Sequence, residues 1–312
     1  MDRSSLTFAI LATGLLAAGC PPPPPPPLTP TPTPTPAPTP LPDPTTPPPK
    51  TGPRPDEAPP VPITSALVTE MKDVAEKTGV IRALPHIRIF TKERRLELDG
   101  ATSVKVGPQL ELLACSLRGK SYESLLIWIP EPEHIHLALL FLGLEPTPQV
   151  DAFGQAGPLT KGQKVVIEVE WQDPATKKSV RRRVEDLLYD TYRDGAMKYS
   201  GFVFTGSRFV DVPQPPDWEK TKRTFASTVS GTVAVVYHDP DAILDTPLVE
   251  GGNNTTYVAW ADRLPERHTD IVVHIRPWRE GDDVEPPENV KRLPSVERPP
   301  GGGAPNGGGG PR

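Results

Sequence analysis

Between Leu110 and Gly143 the chain gathers Glu111, Cys115, Lys120, Glu123, His134 and His136, side chains able to move protons, attack carbon or hold a metal. Each option has a spacing test. If Arg118 and Gly119 turn a two-residue hairpin, Glu123 falls opposite Ala114 and on the other face from Glu111. A one-residue slip puts both carboxylates on one face, still about four residues apart along the strands, on the order of 13 Å. Glycosidase pairs stand roughly 5 to 9.5 Å apart, so this pair is not expected to work as a dyad. His134 and His136 lie about 200° apart on a helix, whereas helical chelation uses an i, i+4 spacing, so they are expected as packing and first-turn residues. Lys120 and Glu123, close after the turn, remain the most suggestive pair. On a strand they would point to opposite faces, with Glu123 taking backbone or serine hydrogen bonds and Lys120 solvated.

The elements that must position these groups follow from hydropathy. Leu110, Leu112 and Ala114 alternate with Leu113, Cys115 and Leu117, both faces apolar, as in a central strand. Leu125 to Ile129 returns as its partner until Pro130 removes a ladder donor. Pro132 suits a first helical turn, Ile135 to Leu142 is apolar all round as in a buried helix, and Gly143 closes it.

The amino terminus sets the compartment. Leu6 to Leu16 is too short to span a bilayer and suits a signal-peptide core, followed by Leu16-Ala17-Ala18-Gly19-Cys20. This segment resembles a bacterial lipoprotein signal, which implies cleavage after Gly19 and lipidation of Cys20. Residues 1–19 are then signal, and the partner is a membrane reached through Cys20, with the protein in the bacterial envelope facing the periplasm or exterior. Residues 20–62 follow as a proline- and threonine-rich stalk: Pro21 to Pro62 holds 23 of 45 prolines, too poor in donors and apolar surface to fold. Only two cysteines exist, so a lipidated Cys20 leaves Cys115 without a disulfide partner, as a small buried residue. Cysteine-ligated iron–sulfur or structural zinc sites lack thiolates, and no cofactor is expected.

Residues 63–278 read as one α+β domain, mostly antiparallel and β-rich. An amphipathic helix over Ser65 to Thr78 starts it, with Ser65 as cap and Gly79 as stop. Strands are expected at Ile87 to Thr91, Leu96 to Asp99 and Thr102 to Val106, with Gly100 as a turn. Val165 to Trp171, Val180 to Val184, a pair over Met197 to Val210, Gly231 to Tyr237 and Ile271 to Ile275 complete them, with Gln214 to Thr224 as an excursion. Arg181-Arg182-Arg183 is followed closely by Glu185 and Asp186, and the net charge is −5, so a solvated strand edge is expected and no nucleic acid partner. Asp239, Asp241 and Asp245 lack the glycine and glutamate of a calcium loop and suit turns. Residues 279–312 read as a disordered tail.

Leu98-Asp99-Gly100, Leu110 to Cys115, Gly119-Lys120 with Glu123-Ser124, the His136 to Gly143 helix, Phe204 to Ser207, Tyr237 to Ala242 and Ile275-Arg276-Pro277 together resemble the YdjY-domain family, over about Val80 to Trp278. The resemblance implies a domain and its limits and carries no activity. At one place the chain departs from it: Tyr122 stands where the family usually has histidine before the glutamate. No nucleophile elbow, His-Glu-x-x-His or phosphate loop occurs. The expected function is therefore a lipid-anchored envelope module that binds a protein or small-molecule ligand, or has a structural role. The alternative is an envelope hydrolase gathering Lys120, Glu123, Ser207, His238 and Asp239 in one cleft.

Overall fold

The computed structural model describes residues 61–107, 109–147, 161–286 and 289, all in the compact unit formed by residues 58–312. The expected signal segment, Cys20, nearly all of the proline-rich stretch and the end of the tail lie outside the described residues. α1 (Ser65–Thr78) forms where its periodicity places it, but Thr64 rather than Ser65 caps it, accepting the Leu67 N–H, and Gly79 ends it at φ +75°. β1 (Val80–Ile81) and β2 (Ile87–Phe90) lead into β3 (Arg95–Thr102), then β4 (Leu112–Ser116), β5 (Ser124–Trp128) and α2 (Pro132–Phe141). β6 (Lys164–Gln172), β7 (Ser179–Arg183), β8 (Leu188–Asp190), β9 (Gly195–Ala196) and β10 (Phe202–Phe204) come next. After β11 (Phe209–Gln214), β12 (Asp217–Phe225) and α3 (Ala226–Ser230), the strands β13 (Thr232–Val235), β14 (Leu244–Asp245), β15 (Tyr257–Ala259) and β16 (Asp270–Pro277) end the fold.

Eight strands close on themselves in the order β3-β16-β6-β10-β14-β13-β4-β5, with β5 pairing back onto β3; β1 and β2 extend β3, and β7 hangs on β6. Closure removes sheet edges that would otherwise recruit other chains. Leu96, Leu98, Trp128, Phe202, Phe204 and Ile275 fill the interior. β4 and β13 are buried on both sides, and Ala242, from the loop after β13, packs with Leu112 and Val235 in a cluster apart from the main core. The β-rich fold with helices is as expected, and most pairings are antiparallel.

Two pairings are parallel, β13 with β14 and β4 with β5, and the second corrects the expected hairpin. Leu112 pairs with Ser124 and Ser116 with Trp128, so the chain leaves β4, doubles back along it through residues 117–123, and restarts beside its beginning. Gly119 permits this short return. A Cβ there would lie 2.6 Å from both the Cys115 Cβ and the Gly231 carbonyl oxygen, so the return runs backbone against backbone with the entry to β13. Arg118-Gly119 is therefore a close approach rather than a two-residue hairpin turn. Gly100 is corrected in the same way. It lies inside β3, where a Cβ would come 2.8 Å from the Ile127 carbonyl, at the seam that closes the barrel.

Three further expectations change. α2 buries Ile135, Ala138 and Leu139 against β2 and α3 but leaves Leu140 40 % exposed, so it is covered on one face only. The strands on either side of Thr205-Gly206-Ser207 do not pair with each other: β10 belongs to the barrel, and β11 joins β12 in a separate, largely exposed two-stranded ribbon. The ordered chain also continues past Trp278. Asp282 forms two hydrogen bonds with Arg276, Glu285 pairs with Arg193, and Asn289 is buried beside Asp186 and Arg263. Residues 279–286 and 289 are thus part of the fold and not of a tail.

Candidate functional site

The parallel pair decides where the polar residues emerge. Because Leu112 lies beside Ser124, the residues just before them, Glu111 and Glu123, leave the sheet at the same end. β13 runs antiparallel to β4 with Val235 beside Leu112, so its continuation to His238 and Asp239 emerges at that end too, tied by the Val236 and Tyr237 N–H groups to the Glu111 carbonyl. The returning segment places Lys120 among them. Its ammonium is 2.6 Å from Glu123 Oε1 and 3.9 Å from Glu111 Oε2. The two carboxylates are therefore at most about 6.5 Å apart, the two distances laid end to end, and the 13 Å offset expected of a hairpin does not apply. An ammonium occupies the space between them where a catalytic water or substrate oxygen would sit.

Lys120 and Glu123 do not lie on opposite faces of a strand. They sit three apart around the 3-10 turn Ser121–Glu123, and pair directly. Glu123 is mostly covered, with 15 % of its side chain exposed, while Lys120 is 54 % exposed. The hydrogen bond to Glu123, with the nearby charges of Glu123 and Glu111, raises the Lys120 pKa and holds it as a cation. Glu111 is fixed on its other oxygen by Asn254 Nδ2 at 3.1 Å. Asp239 emerges at the same end of the sheet, just past His238. Burial raises its carboxyl above the usual range, against the hydrogen bond from the Asp241 N–H.

Behind this cluster, His238 Nδ1 is 3.0 Å from Asp245 Oδ1, both side chains almost fully buried. Burial pushes the Asp245 carboxyl up to about 6, in spite of its histidine partner. His238 Nε2 has no hydrogen-bond partner among the described residues, and the 3-10 turn Val249–Gly252 closes over it: a Cβ on Gly251 would lie 3.0 Å from that nitrogen. Ser207 stands apart. Held at φ +60°, it donates to the Asp241 carbonyl and accepts the Ser227 N–H, so its hydroxyl serves the turn.

The remaining chemistry-bearing residues are structural. Cys115 is fully buried, and desolvation raises its thiol pKa. His134 Nε2 donates to the Val61 carbonyl at 2.7 Å; His136 packs edge-on between Phe204 and Phe225, its pKa lowered by burial. Asp239, Asp241 and Asp245 do not converge: Asp241 pairs with Arg208 and Asp245 with His238. Arg181 pairs with Glu168 on the exposed edge strand, while Arg183 turns inward onto fully buried Glu185 and the Tyr199 ring.

Sequence reasoning missed Asn254 and the Asp245 partner of His238. Asn254 is brought in by the Leu110 N–H to Tyr257 carbonyl bond, a contact between distant segments that leaves no local trace.

A profile of the YdjY domain matches residues 87–276, more than half of the chain. The chain belongs to the YdjY domain family. Its match runs from the start of β2 to within one residue of the end of β16, so it takes in the whole closed barrel and the polar cluster. No curated protein and no solved structure matched. Among the described residues no helix is long and apolar enough to cross a membrane.

Proposed function

We propose that this protein is a lipid-anchored cell-envelope protein, held at a membrane through Cys20, whose YdjY barrel is a ligand-binding module with Glu111, Lys120, Glu123 and Asp239 as its ligand-facing site. One observation carries the site assignment: strand ends distant in sequence deliver two carboxylates to one half-exposed ammonium, with Asp239 emerging at the same end of the sheet. Holding charged groups together in this way costs desolvation, and packing alone does not call for it. The anchor rests on the short apolar segment ending in small residues before Cys20. Replacing Cys20 with serine is expected to release the protein from the membrane fraction or leave it unprocessed; unchanged fractionation and migration would reject the anchor.

An envelope hydrolase is the second reading, favoured by the His238–Asp245 pair, which orients an imidazole as catalytic pairs do. Two features weigh against it. The free Nε2 is covered by the Gly251 turn, and the Ser207 hydroxyl is committed elsewhere. Turnover by the purified protein that is lost in His238→Gln at unchanged stability would favour the hydrolase.

A further inference from the structure

The face around Glu111 also presents two exposed tyrosines, Tyr122 at 63 % and Tyr192 at 68 %. Tyr122 follows Lys120 by two residues, in the 3-10 turn that Lys120 begins. Tyr192 is held on the other side by Asn253 and Thr255: Asn253 Nδ2 donates to its hydroxyl at 3.0 Å, and the Thr255 hydroxyl is 3.2 Å away. Between those two residues stands Asn254, which reaches Glu111, which in turn faces Lys120. Polar side chains able to give and accept hydrogen bonds thus lie along the chain neighbours and contacts that connect the two exposed aromatic residues.

This composition selects an occupant. A protein partner favours an apolar centre inside a polar rim, and here the residues between the rings are amides, a carboxylate and an ammonium. Polyanions meet two carboxylates against a single lysine and are repelled. A sugar ring offers what remains, an apolar face to lay on a phenol ring and hydroxyls that give and accept hydrogen bonds at its edge. We infer that this face binds an uncharged glycan chain, with Tyr122 and Tyr192 stacking on pyranose rings and Asn254, Glu111 and Lys120 hydrogen-bonding the hydroxyl or amide groups between them. The inference rests on the binding-module assignment above and gives it a ligand class.

The test is calorimetric titration of the full chain with N-acetylglucosamine hexamer and with cellohexaose, uncharged hexasaccharides with and without acetamido groups. At least one should bind with an affinity nearly independent of salt. Tyr122→Ala and Tyr192→Ala should each weaken binding by about three- to tenfold at unchanged thermal midpoint. Phe209→Ala, which removes an exposed ring on the separate ribbon, should leave it unaltered. Binding of neither sugar, or binding indifferent to both tyrosines, overturns the glycan. If neither sugar binds but an oligolysine probe does, and Glu123→Gln abolishes that, the glycan is wrong while the site stands. If Glu123→Gln also changes no binding, both fall.

Discussion

Asp245 carries a measurable signature of its burial beside His238. Its carboxyl is pushed from 3.8 to about 6 by desolvation, which outweighs the hydrogen bond and charge of its partner. A carboxyl whose pKa is higher folded than unfolded is a group that folding helps to protonate. Its contribution to stability is full below the unfolded value and is lost as pH rises through the folded one, between about 4 and 6. Across the whole shift this amounts to about 3 kcal/mol; between pH 7.5 and pH 5 the part regained is about 1.4 kcal/mol. Asp245→Asn keeps an oxygen for His238 and removes the titration. Its thermal midpoint is expected to gain on the parent at pH 7.5 and to lose nearly half of that advantage by pH 5. For a domain of this size the change in the difference is about 3 to 6 °C. Scanning both proteins by calorimetry at the two pH values removes the effect of every carboxylate they share. A difference that stays constant, or that widens on acidification, would refute the assignment.

Two other consequences test the packing around the site. Gly231→Ala puts a Cβ 2.4 Å from the Gly119 Cα at a residue with φ +73°, and should cost about 2 kcal/mol or more by chemical denaturation, whereas Gly252→Ala, with nothing within 4 Å, should cost less than about 1 kcal/mol. Equal costs would mean that the return between β4 and β5 does not press on β13. Native Cys115 should resist a thiol reagent at pH 8 and react once the chain is unfolded, since it is fully buried and its pKa is raised; rapid labelling of the native protein would contradict that burial.

Local signals in the sequence served where the determinants were local. The Ser65–Thr78 helix, Pro132 at the head of α2 and Gly143 at its end followed from periodicity, capping and the positive φ that glycine supplies. β4 was legible as a central strand because both its faces are apolar. Its partner's direction was not legible. Arg118-Gly119 has the composition of a hairpin turn, and only the meeting of Gly119 with Gly231, more than a hundred residues away, shows that the glycine is there for close approach. That one inversion moved Glu123 from the far end of the sheet to the side of Glu111, and so hid the cluster. Gly100 misled for the same reason, because a glycine reads alike in a turn and at a barrel seam. Lys120, Glu123 and Asp239 were found as residue types, but their assembly depended on strand order.

The central claim is that Glu111, Lys120, Glu123 and Asp239 form a ligand site and not merely a structural knot, and Glu123→Gln tests it most directly when stability and hexasaccharide affinity are measured on the same protein. Glutamine keeps the shape and one acceptor but breaks the charge pairing with Lys120. The expected result is a thermal midpoint within about 3 °C of the parent, a change of about 1 kcal/mol, together with at least about tenfold weaker binding. A large fall in midpoint with affinity retained by the folded fraction would contradict it.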